Sequence, residues 1–326
     1  MKPLVEAIAV SKHYAVQTGG FMRRQTIPLR AVDGVNLRIH PGETLGLVGE
    51  SGCGKSTLGR MLIRLVPTTD GTILFDGTDI TSLGPKELRA TRRGMQIVFQ
   101  DPFGALNPRM TVEDIIMEPL LIHGARANAE TRTKVTDMLG LVGLPARARE
   151  RFPHEFSGGQ RQRVGIARAL VLHPRFVVCD EPVSALDVSV QAQIVNLLAD
   201  LQAELGLTYL FIAHDLGVVK HISTRVAVMY LGKVVEIADK RALYDAPLHP
   251  YTQALIAAVP VAHPALRAQA RQQRQRIAGD IPSALHPPSG CRFHTRCPHV
   301  MPVCKTQEPA VTEPVPGHQV ACHLIG

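Results

Sequence analysis

One stretch of the sequence combines residue types at a spacing suited to binding phosphate groups. Residues 49–56 read G-x-x-x-x-G-K-S. Glycines at these positions let backbone N–H groups turn inward onto phosphate oxygens. Lysine in this pattern reaches the β- and γ-phosphates, and the hydroxyl after it ligates Mg²⁺. The residues expected to contact a nucleotide here are Gly49, Ser51, Gly52, Cys53, Gly54, Lys55, Ser56 (also a Mg²⁺ ligand) and Thr57.

The segments on either side give this loop the context of a nucleotide site. Residues 44–48 are apolar and β-branched, which predicts a buried strand, and residues 58–65 carry apolar side chains at helical spacing. A helix that begins at the loop adds partial positive charge there. A chance glycine-rich turn is the alternative, and the flanking pattern argues against it.

A second group of chemical residues follows two further apolar runs. Residues 176–181 predict a strand that ends in Asp180 and Glu181. Asp180 is expected to hold Mg²⁺, and Glu181 to polarise the attacking water. The alternative is that both only solvate a strand end, but Pro182 fixes the turn after them. His214 ends the run 208–213, at the edge where a doubly wound sheet places its ligand, so a γ-phosphate contact is expected.

A third group could form another anion site. Ser157, Gly158, Gly159 and Gln160 stand directly before a predicted helix over 161–173. Backbone N–H groups and a hydroxyl at a helix start can bind a negative ligand. The alternative is an ordinary serine N-cap, which has the same sequence pattern. One nucleotide does not need two such sites from one chain, which favours two chains meeting head to tail.

The remaining pattern predicts how these residues are positioned. Residues 1–43 read as short strands and turns, with strands near 8–10 and 37–39. Helical periodicity over 103–171 predicts a helical insertion in a strand-alternating chain, and 225–237 predicts a hairpin turning at Gly232. Residues 261–290 read as a basic, proline-containing linker. The predicted domains are 1–260, containing the helical part at 103–171, and 261–326.

Composition excludes some classes of protein. The 326 residues include no run of eighteen apolar residues and no signal-peptide core, so a soluble cytoplasmic protein is expected. The net charge of +8 suits nucleic acid, an anionic membrane surface or a phosphate-rich ligand. The absence of tryptophan and 4% aromatic content disfavour a base-stacking surface.

Four of the six cysteines lie in residues 291–326 and need their own explanation: Cys291, Cys297, Cys304 and Cys322. This segment is too short and proline-rich to build a core, so a metal or cluster would supply cross-links. Structural zinc sites usually contain a C-x₂₋₄-C pair, which is missing here, whereas four thiolates suit an iron–sulfur cluster. Zinc with histidine ligands and two disulfides stay open. Cys53 and Cys179 read as small packing side chains.

Taken together, these motifs resemble the ATP-binding subunit of ABC transporters over about residues 4–260. Walker A is 49–57, the Q-loop residue is Gln100, the signature is 157–160, Walker B is 176–180, the D-loop is 184–187 and the switch histidine is His214. Phe156 stands where many members carry leucine. The resemblance implies an α/β fold: an ABC-type P-loop NTPase domain with a helical subdomain and a small cysteine-containing C-terminal extension.

The same resemblance assigns roles. It implies ATP and Mg²⁺ as cofactors, catalysis by Glu181, His214 and Lys55, Mg²⁺ ligation through Gln100, and adenine stacking on Tyr14. Without it, Tyr14 reads as a half-buried strand residue.

Further segments are similar to the dipeptide/oligopeptide importer branch: 100–103 with 105–108, 152–155, 249–252 and 290–298. In that branch four such cysteines bind a [4Fe-4S] cluster in some members, which favours the cluster over zinc.

The branch implies import of dipeptides or oligopeptides, from the cytoplasmic face of the inner membrane as a peripheral subunit. It implies a second homologous ATPase subunit in a heterodimer, two membrane permeases and an extracytoplasmic peptide-binding protein, with no nucleic acid. The F-type subunit looks nearest and the D-type stays open. Alternatives are an importer subunit for another solute, such as a nickel chelate, and a soluble ABC-type ATPase acting on nucleic acid or ribosomes.

Overall fold

The computed structural model describes residues 2–18, 25–258 and 279–325. Within these ranges the strands are β1 Val5–Thr18, β2 Gln25–Ile39, β3 Thr44–Val48, β4 Asp70–Phe75, β5 Thr78–Asp79, β6 Met95–Val98, β7 Phe176–Asp180, β8 Thr208–Ile212, β9 Arg225–Tyr230, β10 Lys233–Asp239, β11 Val311–Val315 and β12 His318–Ala321. The helices are α1 Lys55–Leu62, α2 Pro85–Thr91, α3 Pro102–Ala105, α4 Val112–Ile122, α5 Ala129–Leu141, α6 Gly158–Leu170, α7 Val188–Leu205, α8 Leu216–Ile222, α9 Lys240–Asp245 and α10 Pro250–Ala258.

Two compact units divide the described residues, and each joins segments that are distant in sequence. The first contains the described parts of Met1–Val5, Ile39–Thr44 and Leu74–Ala213. The second contains those of Glu6–Arg38, Leu45–Ile73 and His214–Gly326. The sequence-based boundaries at 103–171 and 261 follow motif and composition rather than chain contacts, and they stay predictions.

Parallel strands and a group of helices build the first unit. β8, β7 and β6 are neighbours in that order, with Cys179 opposite both Val98 and Phe211. Every residue of β7 and β8 is buried, as the uninterrupted apolar runs predict for strands of a parallel sheet. Helices α4 and α5 pack on α6, and α6 packs on α7. The predicted helical periodicity thus corresponds to helices α3 to α6, while the helical insertion as a subdomain stays a prediction.

Side-chain caps explain where these helices begin. The Thr111 hydroxyl accepts the N–H of Asp114 at the start of α4, and the Asn128 side chain accepts that of Thr131 at the start of α5. At the far end of α7, Gly206 adopts φ 63°, a left-handed conformation that favours glycine after a helix.

The second unit contains a parallel pair that continues into antiparallel strands. β3 pairs with β9 in parallel, and β9 forms a hairpin with β10 through the turn at Leu231 and Gly232. β12 pairs antiparallel with β10, with Glu236 opposite Val320, and β11 pairs with β12. The order of these five strands is β11, β12, β10, β9, β3.

The strand predictions near both ends of the chain need correction. The first 43 residues contain two long strands, β1 and β2, rather than short strands near 8–10 and 37–39. Polar side chains alternate irregularly along them, so the period-2 pattern is weak although the backbone is extended. The tail carries β11 and β12, which were not predicted, although Pro316 and Gly317 mark a turn between them.

Most of the predicted linker, at 259–278, lies outside the described residues. No helix in the described ranges is long and apolar enough to cross a bilayer.

Candidate nucleotide site

The phosphate-loop pattern forms a sharp turn between β3 and α1. β3 is buried along its whole length, and α1 starts at Lys55 directly after Gly54, whose φ of 107° lies in the left-handed region. The predicted strand is confirmed, and the helix starts three residues before the predicted position because the lysine itself takes helical conformation.

Lys55 is turned back onto its own loop. Its side chain is buried, and Nζ donates hydrogen bonds to the carbonyl oxygens of Gly49 at 2.8 Å and Glu50 at 3.1 Å. The Sγ atom of Cys53 lies 3.9 Å from the same Nζ. The ammonium group is therefore fixed at the mouth of the turn by main-chain acceptors that a phosphate oxygen could replace.

Two of the loop glycines are required by close approach of other backbone. A Cβ at Gly49 would lie 2.1 Å from the Met229 carbonyl oxygen, and one at Gly54 would lie 2.1 Å from that of Ala31. Both residues also have positive φ. Glycine is needed at these positions because the turn is pressed against β9 and β2, which leaves no room for a side chain.

The loop residue Glu50 was not singled out from the sequence, yet it has the most partners. Its N–H donates to the Tyr251 hydroxyl at 3.0 Å. Its carboxylate accepts two hydrogen bonds from Arg296, at 2.7 and 3.0 Å. No sequence pattern links positions 246 residues apart, so only the fold reveals this contact.

In the first unit the carboxyl ends of parallel strands bring the hydrolysis residues together. Asp180 is the last residue of β7 and is 1% exposed. Gln100 follows β6, and its Nε2 donates to Oε2 of Glu181 at 3.0 Å. The structure thus joins two of the predicted residues by a direct hydrogen bond.

Glu181 has an unusual backbone. Its φ of 48° is in the left-handed region, which is uncommon for a residue with a side chain. The conformation is held because the Glu181 N–H donates to Ile212 and its carbonyl oxygen accepts from the Ser184 hydroxyl at 3.1 Å. Strained residues of this kind cluster at active sites.

The Ser-Gly-Gly-Gln segment forms the start of α6. The Ser157 hydroxyl accepts the N–H of Gln160 at 3.3 Å, and the Gln160 side chain accepts the N–H of Ser157 at 3.0 Å. This capping box uses the serine oxygen as an acceptor and leaves its hydrogen available to a ligand. A Cβ at Gly159 would lie 2.5 Å from Cγ1 of Val190, so α7 leaves no room for a side chain there.

Two predicted residues lie at the surface of the second unit. Tyr14 lies on β1, is 36% exposed and has the Lys12 ammonium 5.1 Å from its ring centroid. His214 is exposed and lies two residues beyond β8.

The cysteines of the tail are free thiols, as are Cys53 and Cys179, so the disulfide alternative is not realised. Burial, together with smaller contributions from Cys304, Cys322 and Cys297, raises the pKa of Cys291 to about 11. Within the described residues, no group of three or more His, Cys, Asp or Glu side chains is arranged to hold a metal ion. Burial also raises the pKa of the Cys179 thiol, in keeping with its predicted packing role.

Comparison with known families matches two parts of the chain. Residues 32–184 match the ABC transporter family, and residues 235–304 match the oligopeptide/dipeptide transporter C-terminal region.

Solved structures share the fold. The dimeric, post-hydrolysis structure of the ATP-binding cassette MJ0796 bound to ADP and Pi has a TM-score of 0.64 and 32% identity, and it covers 73% of this chain and 99% of that chain. The cbiO1 structure from Clostridium perfringens, part of the ABC transporter complex cbiONQ, has a TM-score of 0.64 and 27% identity, covering 76% of this chain and 92% of that one.

The fold is therefore that of a P-loop ATPase of the ABC cassette type, as predicted. Among individual relatives, the oligopeptide transport ATP-binding protein AppF of Bacillus subtilis (strain 168) is 53% identical over 98% of this chain and 97% of its own length. The chain belongs to the family of ABC transporter ATP-binding subunits that carry the oligopeptide/dipeptide C-terminal region.

Proposed function

We propose that this chain hydrolyses ATP to power the import of dipeptides or oligopeptides through a membrane transporter. The observation that carries the peptide assignment is similarity at 53% identity over nearly the whole chain to an oligopeptide transport ATP-binding protein, including the C-terminal region. This full-length similarity favours peptide import over a ribosomal or nucleic-acid ATPase. The F-type subunit is the proposed type, because the name of the 53% identical relative AppF marks that protein as an F-type subunit.

Nucleotide binding is assigned to the loop at 49–57. Lys55 would leave the carbonyl oxygens of Gly49 and Glu50 and bind the β- and γ-phosphates, while backbone N–H groups of Ser51 to Thr57 bind their oxygens. Tyr14 would stack on adenine, which its exposed ring permits.

Mg²⁺ is the proposed metal cofactor of hydrolysis. Ser56, Asp180 and Gln100 are the proposed ligands, and hydroxyl, carboxylate and amide oxygens are donors that this ion accepts. When bound, the ion neutralises charge on the β- and γ-phosphates.

Hydrolysis is assigned to Glu181, with His214 holding the γ-phosphate. The hydrogen bond from Gln100 orients the Glu181 carboxylate, which would accept a proton from the attacking water. Gln100 would also report γ-phosphate occupancy to the permease, because it lies between β6 and the exposed residues Asp101 and Gly104.

The turn at Ser157, Gly158, Gly159 and Gln160 is proposed to close on the nucleotide of a second ATPase subunit, in a heterodimer. Its helix start and the remaining serine hydrogen both favour a negatively charged ligand. Two permeases and an extracytoplasmic peptide-binding protein would complete the transporter, with this chain peripheral on the cytoplasmic face of the membrane.

The tail cysteines Cys291, Cys297, Cys304 and Cys322 are the proposed ligands of a [4Fe-4S] cluster, with zinc as the alternative. All four are free thiols, as four-thiolate ligation requires, although among the described residues they are not arranged to hold a metal ion. Such a group would cross-link the tail. Anaerobic purification with iron, zinc and sulfide analysis tests this, and metal-free protein with full activity would contradict it.

Complementation of an auxotroph that lacks this chain tests the import function. Wild-type protein should restore growth on oligopeptides that contain the required amino acid, whereas the Glu181→Gln variant should not. The free amino acid should rescue both strains, which controls for general fitness. Peptide uptake that is unchanged without the chain, or radioactive nickel uptake that depends on it instead, would contradict the peptide assignment.

A further inference from the structure

The segment between the first two tail cysteines, residues 291–297, packs against the back of the nucleotide loop; we call it the tail plug. Phe293 is 1% exposed, and its ring lies edge-on to Tyr230, with 5.2 Å between ring centroids, and 5.4 Å from Tyr251. Arg292 donates to the carbonyl oxygen of Leu231, in the turn after β9, and to Asp33. These contacts of Arg292 and Phe293 fix the position and the orientation of the tail plug.

Arg296 of the tail plug holds the one acidic side chain of the loop. Its guanidinium is 7% exposed and binds the Glu50 carboxylate through both Nη atoms, at 2.7 and 3.0 Å. Nη1 also lies 3.4 Å from the Tyr230 hydroxyl. A forked pair of this kind fixes the carboxylate in orientation as well as position.

The placement of Glu50 makes this pair chemically significant. Residues 49–57 contain no other acid, and the loop is suited to a ligand with several negative charges. An unpaired carboxylate within the loop would repel phosphate, and the half-buried setting of Glu50, 24% exposed, would weaken screening by salt. The main-chain N–H of Glu50 also donates to the Tyr251 hydroxyl, which keeps this residue in place when Lys55 turns to the phosphates.

We propose that Arg296 is a positioning residue for the ATPase reaction, which cancels the charge of Glu50 and fixes its side chain so that the loop can bind Mg-ATP. This rests on the nucleotide-binding role proposed above for Lys55.

Calorimetric titration of the full-length protein with Mg-ATP tests both assignments separately. Wild-type protein should bind, and Lys55→Ala should not; equal binding by these two would overturn the nucleotide role of the loop itself. With that role intact, Arg296→Met should raise Kd about tenfold, because it leaves a carboxylate uncompensated beside the phosphates. Arg296→Lys should recover part of the affinity, since it restores charge without the fork.

The variants of Glu50 separate a charge effect from simple loss of packing. Glu50→Gln/Arg296→Met should bind within about threefold of wild type, because the repelling charge is gone. Glu50→Gln alone should bind as well as wild type or up to about threefold tighter at low salt. If the double variant binds no better than Arg296→Met, or if Glu50→Gln alone loses about tenfold, the proposal is wrong, and the second result holds even should Arg296→Met fail to fold.

Steady-state kinetics and a matched variant complete the test. Arg296→Met should raise KM for ATP about tenfold and change kcat less than about twofold, whereas a loss confined to kcat would contradict a role in binding. Glu308→Gln removes the tail's ion pair with Lys233, whose Nζ lies 2.7 Å from Oε1 of Glu308, without touching the loop. Its Kd and KM should equal those of wild type, and an equal loss there would assign the effect to tail anchoring.

Discussion

Glu181 has a left-handed backbone conformation that is uncommon for residues with a side chain, and hydrogen bonds to neighbouring residues stabilise it. Main-chain and side-chain hydrogen bonds hold the residue at φ 48°, while Gln100 engages one carboxylate oxygen. A residue fixed in this way needs little rearrangement before it accepts a proton, which is the condition for an efficient base.

Replacement of this carboxylate should therefore separate binding from hydrolysis. Glu181→Gln keeps the shape and a partner for Gln100 but cannot accept the proton, so phosphate release should fall at least about 100-fold. Mg-ATP binding by calorimetry should persist, and ATP-dependent dimers should accumulate in size-exclusion chromatography.

The matched control is Glu130→Gln in α5, an exposed carboxylate paired with Lys134. It should leave turnover unchanged. Wild-type turnover in Glu181→Gln would reject the assignment of the base.

Single residues also show what sequence could reveal. Lys55, Asp180 and Glu181 were predicted as site residues because each follows an apolar run in a spacing with known chemistry, and their roles stay predictions. Glu50 and Arg296 were missed because they lie 246 positions apart in the sequence, and their contact depends on the path of the chain between them. Charge pairing across such a distance leaves no local pattern.

Packing requires one glycine of helix α6 but not another. Gly159 lies against Val190, whereas a Cβ at Gly165 would have no atom within 4 Å. Gly165→Ala should therefore raise the free energy of unfolding by about 0.5–1 kcal/mol through helix propensity. Gly159→Ala should lower it by about 1 kcal/mol or more, because Val190 is short, branched and hard to move.

Denaturant unfolding of the two alanine variants checks this comparison. The same substitution in the same helix cancels most effects on the unfolded chain, so the difference reports the contact with α7. Equal changes in the free energy of unfolding for the two variants would mean that Val190 moves aside at little energetic cost.

Strand β12 attaches the tail to β10 through a buried carboxylate. Glu236 is 1% exposed and accepts hydrogen bonds from the N–H groups of Leu248 and His249, at 2.8 and 3.0 Å. Nε2 of His318, on β12, lies 2.7 Å from the same carboxylate. The tail, through His318, thus adds a further hydrogen-bond partner to the Glu236 carboxylate, which is buried on β10.

Removal of the His318 side chain should destabilise the protein. His318→Ala leaves Glu236 buried with one donor fewer, so the free energy of unfolding should fall by about 2–4 kcal/mol in urea titrations. Gln319→Ala, next along β12, loses only a surface contact to Glu313 at 3.2 Å and should change it by less than about 0.5 kcal/mol. Comparable losses in both would indicate that the strand pairing, rather than Glu236, holds the tail.

Among the secondary-structure elements, the buried strands of the parallel sheet were the ones predicted best from the sequence. Its strands are continuous apolar runs, so β3, β7 and β8 were located to within a residue. The tail hairpin was not recognised because β11 is mostly exposed and contains Pro314, which weakens the strand pattern. Its pairing with β10 depends on burying Glu236, a tertiary effect.

For the molecule as a whole, one buried histidine makes folding depend on pH. His249 is 1% exposed, and its Nδ1 accepts the N–H of Tyr251 at 3.0 Å, which requires a neutral ring. Burial lowers the pKa of His249 from 6.5 to about 4. Between these values the unfolded chain binds the additional proton, so stability is full above pH 6.5 and is lost as the pH falls toward 4.

The variant His249→Asn isolates this contribution, since asparagine offers an acceptor without titrating. Wild-type protein should lose about 1.5 kcal/mol more than the variant between pH 7.5 and 5.5, measured by denaturant unfolding at each pH. Parallel pH profiles for the two proteins would show that His249 is protonated without cost in the folded state.

The contact between Glu50 and Arg296 has a consequence for synthesis of the chain. The two residues are 246 positions apart, so at about 5–20 residues per second the ribosome needs roughly 10–50 seconds to deliver the arginine after the glutamate. Throughout that interval the nascent cassette has its phosphate loop but not the cation that completes it. A chain terminated before residue 296 is thus expected to bind ATP about tenfold more weakly than a chain that contains Arg296.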